Sequence, residues 1–292
     1  MDYNINFPNL GIFLEHVGKN LVIGNFTIAY YGIIIAIGML LGMVVAVKRA
    51  KSTGQKPDDY VDLVVLGMVF GVIGARIYYV IFSWDMYKND LLSIFNLRQG
   101  GLAIYGGLIA GVITVLIVTR IKKINFGQAC DTVAMSVPIG QILGRWGNFF
   151  NREAFGEYTN GLFAMELPVS AVRQNEITAK MWENTIVRDG VTYISVHPTF
   201  LYESVWNCGV LLVVYLLRNR TKFYGELWLI YVAGYSLGRF FIEILRTDQL
   251  LIPGTSIPVS MVVAAVGFIG SMIWIILGHR RAVRRETAPN PA

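Results

Sequence analysis

The sequence predicts an all-α integral membrane protein: seven transmembrane helices and a small extracytoplasmic head subdomain, with the N-terminus outside and the C-terminus cytoplasmic. Three observations predict it. Hydrophobic residues make up 54% of the 292 and charged residues only 15%, where globular proteins carry about 25% charged, and mean hydropathy is +0.53. The apolar residues gather into stretches of roughly twenty, the length that crosses about 30 Å of hydrocarbon. Lysines and arginines cluster after alternate stretches, as the positive-inside rule requires.

Residues 1–25 read as an extracytoplasmic or interfacial arm, in which Ile12, Phe13 and Leu14 beside Glu15 and His16 suit a short amphipathic helix. Asp2 and the lack of an early basic region with a small-residue cleavage site argue against a removable signal peptide, so the first span would act as its own insertion signal. Residues 26–144 hold spans one to four, at about 26–47, 61–83, 101–119 and 124–143. Segment 145–198 mixes acidic and basic residues and reads as the water-facing head. Residues 199–278 hold spans five to seven, at about 199–217, 226–245 and 258–278, and 279–292 is a basic cytoplasmic tail.

The basic clusters are Lys48, Arg49, Lys51 and Lys56; Arg120, Lys122 and Lys123; Arg218, Arg220 and Lys222; and Arg280, Arg281, Arg284 and Arg285. Together they hold more than half of the 25 Lys and Arg, and all fall on one side of the predicted membrane. Despite a net charge of +6, the basic residues form no single patch, so no nucleic-acid partner is expected. Cys130 and Cys208 lie in apolar segments without CxxC or histidine spacing and read as packing residues, not as a disulfide or metal site. No nucleotide, flavin or metal motif occurs, so no cofactor is expected. The absence of an internal repeat counts against the commonest transporter designs.

Ionisable residues at membrane depth are costly and mark functional sites; Arg76, Asp131, Glu203, Arg239 and Glu243 qualify. Tyr235, Arg239, Glu243 and Arg246 recur at i, i+4, i+8 and i+11 and share one helical face. One reading is an Arg239–Glu243 pair that neutralises itself and fixes packing. The other is an anion site, since a guanidinium offers a planar fork for phosphate oxygens.

A second constellation is Gly144-Arg145-Trp146-Gly147-Asn148-Phe149-Phe150-Asn151-Arg152-Glu153. Its glycines let the chain leave the helix and approach a ligand. Arg145, Asn148 and Asn151 offer donors at headgroup depth, the aromatics suit the interfacial belt, and Glu153 either pairs with a neighbouring arginine or acts chemically. In a third stretch, Gly100-Gly101-Leu102-Ala103-Ile104-Tyr105-Gly106-Gly107, the paired glycines permit close helix approach. Tyr105 there reads as a belt tyrosine or a site residue. Tyr30 and Tyr31 before Gly32 suit a cavity lining.

At these residues the chain resembles the bacterial prolipoprotein diacylglyceryl transferases. The decapeptide from Gly144 to Glu153 carries most of the resemblance, supported by Tyr30-Tyr31-Gly32, the glycines around Tyr105, His197-Pro198-Thr199-Phe200-Leu201-Tyr202-Glu203, and Tyr235 to Arg246. The resemblance implies a multi-pass enzyme of the bacterial cytoplasmic membrane. It would move the sn-1,2-diacylglyceryl group from phosphatidylglycerol to the lipobox cysteine of prolipoprotein signal peptides, forming a thioether and releasing glycerol 1-phosphate. Its partners would be phosphatidylglycerol, those peptides and membrane lipids.

The resemblance makes Arg145 and Arg239 the phosphate and transition-state residues. Tyr31, Asn148, Asn151, Glu153 and Tyr235 would bind or shape, and Gly156 falls where the family has a sensitive glycine. His197, Glu203, Glu243 and Arg246 would be structural supports. Tyr105 stands where a histidine base has been proposed in other members; a phenol with an unperturbed pKa near 10 is a poor base at pH 7, so it is expected to donate a hydrogen bond. The main rival class is a transporter or channel for an anionic substrate. A scaffold without chemistry would not call for paired arginines, and an intramembrane protease lacks its GxSxG, HExxH or aspartate motifs.

Overall fold

The computed structural model describes residues 3–97 and 100–287. Asp2, two residues of the 84–100 loop and the last five of the basic tail lie outside them. The main helices are α1 (Tyr30–Ser52), α2 (Pro57–Phe82), α3 (Ile104–Ile121), α4 (Phe126–Val133), α5 (Ser136–Asn151), α6 (Ala179–Glu183), α7 (Thr199–Leu217), α8 (Glu226–Glu243) and α9 (Val259–Thr287). Among the described helices α1, α2, α3, α7 and α9 are long and apolar enough to cross a membrane, so the chain is built as an integral membrane protein. Helix α8 is long enough but carries Glu226, Arg239 and Glu243, while α4 and α5 are each short of a crossing.

Span four therefore departs from the expected 124–143. It breaks at Ala134–Met135, and α5 runs on to Asn151. Pro138 explains the break, because its ring lacks an N–H and clashes with the carbonyl four residues back, and so is tolerated in the first turn of a new helix but not inside an old one. The chain also does not leave the helix at Gly144. It leaves at Arg152, which caps α5 in the left-handed region (φ 56°, ψ 49°).

The chain divides into two units, residues 1–42 with 134–292 and residues 43–133. In the first, the all-α expectation fails in the N-terminal arm and in the segment before α7. The arm is not an amphipathic helix: β1 (Tyr3–Phe7) and β2 (Ile12–Val17) form an antiparallel pair. They join β5 (Met165–Pro168), β6 (Ile186–Arg188) and β7 (Val191–Val196) in an antiparallel sheet of order β2-β1-β5-β7-β6. The cause is a period of two in the sequence. Ile5 and Phe7 reach a buried cluster with Phe149, Phe155, Leu167, Ile194, Val196 and Phe200, while Asn6 donates to the buried Glu166 carboxylate at 3.1 Å. Asp189 and Gly190, both at positive φ, close the β6–β7 hairpin; such a pair turns with the right-handed twist its strands need. A separate hairpin, β3 (Asn20–Ile23) with β4 (Phe26–Ala29), feeds α1.

Within this unit α5 packs on α7, α7 on α8 and α8 on α9. The Trp206 indole of α7 lies against Gly238 of α8 and donates to the Gly234 carbonyl at 2.8 Å.

In the second unit α2 and α3 cross at glycines, as the paired-glycine motif predicts. A Cβ on Gly107 would come within 3.3 Å of the Gly71 carbonyl, and one on Gly106 would collide with Gly74 and Tyr78. Arg76 has a structural use: its guanidinium donates to the carbonyls of Ser93, Ile94, Asn96, Gly100 and Gly101 at 2.7–3.3 Å, tying the loop before α3. Cys130 is buried there, whereas Cys208 of the first unit is exposed on α7 instead of packed.

Candidate active site

The first unit gathers its charges around Glu203, in the second turn of α7 and only 3% exposed. Arg145 of α5 meets Glu203 Oε2 through Nε at 2.9 Å. Arg239 of α8 meets Oε1 through NH1 at 3.0 Å, and Arg246, past the end of α8, reaches the same oxygen at 3.5 Å. Arg239 also pairs through NH2 with Glu243 Oε2 at 2.5 Å; the one-face spacing of the sequence puts them a turn apart. Ser260 of α9 donates to the other Glu243 oxygen at 2.5 Å. Arg239 is thus paired, as the first reading has it, and it stands beside a second arginine from another helix. Glu203 and Glu243, expected as supports, are the buried anions that hold the cluster.

Outside the helix, Asp248 accepts from Arg246 at 2.7 and 2.9 Å. Burial opposes its ionisation, but the Arg246 guanidinium prevails and holds the carboxyl below its ordinary value. The sequence reading missed Asp248 and Ser260. The Arg-x-Asp spacing was a usable signal for the first, and nothing local marked the second.

The decapeptide supplies the next layer. Asn148 accepts from Arg145 NH1 at 3.3 Å and donates to Glu153 Oε1 at 3.0 Å, and Asn151 donates to the same oxygen at 3.2 Å. Glu153 is thus a paired group, as the simpler reading had it, with Arg173 of the head at 3.4 Å on its other oxygen. Arg152 and Ala154 on either side are both left-handed (φ 56° and 58°), a costly conformation for residues with a Cβ, which sets the strap carrying Glu153.

Gly147 gives Tyr31 its place, since a Cβ there would come within 2.6 Å of the phenol ring. Tyr235 stacks on Tyr231 at 6.1 Å, one turn before Arg239. Gly156 pairs with Arg246 as an isolated bridge and donates its N–H to the His197 carbonyl at 2.9 Å, while Glu157 N–H donates to Leu245 at 2.7 Å. A Cβ on Gly156 would lie 2.8 Å from both His197 Cβ and the Leu245 carbonyl, so glycine is what lets the head sit on the end of α8. His197 Nδ1 and the Tyr202 hydroxyl share a hydrogen bond of 3.2 Å. Burial first, and then Lys180, hold that imidazole below its ordinary pKa, which suits a structural role. Tyr105 belongs to the second unit, half-buried in the first turn of α3. Among the described residues no group of His, Cys, Asp and Glu is disposed to hold a metal ion.

Planar guanidinium groups from two helices thus meet on one buried carboxylate, with the amides of Asn148 and Asn151 beside them. Comparison with known proteins gives this arrangement a family context. The family model described as prolipoprotein diacylglyceryl transferase matches residues 20–277. A phosphatidylglycerol–prolipoprotein diacylglyceryl transferase from Clostridioides difficile (strain 630) is 44% identical over 246 residues, covering 84% of this chain and 89% of the relative. One of the same name from Clostridium botulinum (strain Langeland) is 40% identical over 253 residues, 87% of this chain and 93% of its own. Another from Bacillus cytotoxicus is 41% identical over 267 residues, 91% of each.

Proposed function

Because the chain belongs to the prolipoprotein diacylglyceryl transferase family, we propose that Arg145 and Arg239 hold the phosphate of its lipid substrate through the reaction. The protein is a membrane transferase that moves diacylglyceryl from phosphatidylglycerol to prolipoprotein. The step is displacement at carbon. The sulfur of the lipobox cysteine attacks the glycerol carbon that bears the phosphate, an S–C bond forms, the C–O bond breaks, and its electron pair leaves on glycerol 1-phosphate. The thiol must attack as thiolate, the better nucleophile. Negative charge grows on the departing phosphate, where fixed donors in a low-dielectric site act most strongly.

One observation carries this reading: Arg145 and Arg239, from different helices, meet on the two oxygens of Glu203. Asn148 and Asn151, bonded to Glu153, shape the headgroup side, with Tyr31 and Tyr235 as apolar walls carrying hydroxyls. Tyr105, by its place in the family motif, donates a neutral hydrogen bond and takes no proton. An apolar groove of about 730 Å³ between α7 and α8, lined by Leu201, Tyr202, Trp206, Val210, Ile230 and Gly234, supports a lipid substrate over a small soluble anion. A transporter for an anion would not use the carbon centre. We further propose seven crossings of the bacterial cytoplasmic membrane, α4 with α5 making the fourth, with the head outside. Incubating the purified protein with phosphatidylglycerol and a lipobox peptide, then finding a diacylglyceryl adduct on the cysteine by mass spectrometry, tests the reaction; an unmodified peptide would overturn it.

A further inference from the structure

We infer that Glu203 is a positioning residue for the transfer, whose carboxylate pairs with one nitrogen of Arg145 and one of Arg239 and leaves their remaining N–H groups for one common anion. This rests on the reading of those arginines as phosphate ligands. A carboxylate that only neutralises a buried guanidinium does best by taking it in a two-bond fork. Glu203 divides its oxygens instead, Oε2 to Arg145 and Oε1 to Arg239.

Each guanidinium is then fixed at a second point. Arg239 NH2 is on Glu243, itself held by Ser260, and Arg145 NH1 is on Asn148. Two points fix the plane of a planar group. What stays accessible is cationic: the side chains of Arg145 and Arg239 are 20% and 16% exposed, those of Glu203 and Glu243 only 4% and 2%. Three guanidinium groups, Arg246 included, would repel one another without the carboxylate at their centre. With Glu203 and Glu243 in place, and Asp248 on Arg246, the three guanidinium charges are balanced, so the cluster receives the single negative charge of a phosphodiester without a large positive excess to hold it. The released phosphomonoester can carry a second, and Glu203 keeps the cluster from retaining it.

Glu203→Gln keeps the shape and removes the charge. Assayed in the full-length protein, reconstituted in phosphatidylglycerol vesicles with a lipobox peptide, kcat should fall by about tenfold to a hundredfold, the scale of a small misplacement of a binding group. KM for phosphatidylglycerol should change little, and inhibition by added glycerol 1-phosphate should strengthen. Glu203→Asp, which restores the charge on a shorter arm, should recover part of kcat, and it serves as the measured variant if the glutamine protein does not fold. Wild-type kcat and product inhibition per folded molecule, with only the yield of folded protein reduced, would overturn the inference and leave Glu203 a packing ion pair. Arg145→Lys is measured alongside: near-normal transfer by that variant would sink the phosphate reading itself, whereas a damaged Arg145→Lys beside a normal Glu203→Gln would sink the positioning role alone.

Discussion

Arg145 meets Glu203 through Nε and Asn148 through NH1, and Arg239 meets Glu203 and Glu243 through its two terminal nitrogens, so a lysine at either place keeps the charge and loses the second point of attachment. Losing one such contact at a developing charge costs about 3 kcal/mol, or roughly a hundredfold in rate. Folded Arg145→Lys and Arg239→Lys proteins should therefore transfer diacylglyceryl about a hundred times more slowly, read by adduct formation per molecule. On its proposed role, Tyr105→Phe removes one neutral hydrogen bond, worth about 1 kcal/mol; the expected slowing is several-fold with the pH–rate profile unchanged in shape. A loss of three or more orders of magnitude with the basic limb gone would make Tyr105 the base. The arginine, asparagines and glutamate of the decapeptide were legible because one short segment carries them and they bond to one another. The part played by Glu203 was not, because its partner Arg239 lies 36 residues away and Arg145 on a third helix. A lone glutamate in an apolar stretch shows its cost and not its partners.

The elements that sequence reading placed best are those with one dominant force behind them. A run of some twenty apolar residues has few ways to satisfy its backbone in lipid except as a helix, and α1, α2, α3, α7 and α9 follow. The head is governed by competing signals. Ile12, Phe13 and Leu14 stand together and suggested a helix face, but they are exposed on β2 while the alternating Ile5 and Phe7 are buried. The Asp189–Gly190 turn was the readable strand signal that the mixed charge of the segment concealed. Close packing between elements gives a direct test: Gly156→Ala sets a Cβ 2.8 Å from His197 Cβ and from the Leu245 carbonyl. Overpacking of this kind costs about 1–3 kcal/mol, so the thermal midpoint should drop by several degrees, and activity should fall further because Arg246 is bridged to that residue. Gly238→Ala, against the Trp206 indole, should lower the midpoint comparably while leaving KM near normal.

His197 joins head and membrane elements, and its ionisation ties stability to pH. With a folded pKa depressed below the ordinary 6.5 by burial and by Lys180, the ring stays neutral in the fold where the unfolded chain has already bound a proton. The stabilisation is complete above about pH 6.5 and is lost as pH falls through the folded value. Thermal unfolding of wild type and His197→Gln at about pH 7.5 and pH 5.5 should show the wild type losing more stability on acidification. Equal losses would mean that the imidazole protonates as readily in the fold as in the unfolded chain.

At the scale of the whole molecule the charge pattern argues the orientation. Placing Lys or Arg across a membrane during insertion is costly, so short loops rich in them stay cytoplasmic. Counting the α4–α5 pair as one crossing, the basic clusters fall at the C-terminal ends of α1, α3 and α9, in the loops after α1 and α3, and just after α7, and the other ends carry the head, whose acidic and basic residues are mixed. Seven crossings put the N-terminus outside with the head; five, taking only the helices long and apolar enough by themselves, would drop the crossing at α4–α5 and the one at α8. Without the first of these, residue 170 would fall on the same side as the basic loop after α1. Two positions decide between them. Single cysteines placed after residues 52 and 170, in a protein whose own Cys130 and exposed Cys208 are replaced by serine, should react with an impermeant maleimide from opposite faces of sealed vesicles. Labelling of both from one face would reject the seven-crossing arrangement, and with it the proposal that the head lies outside.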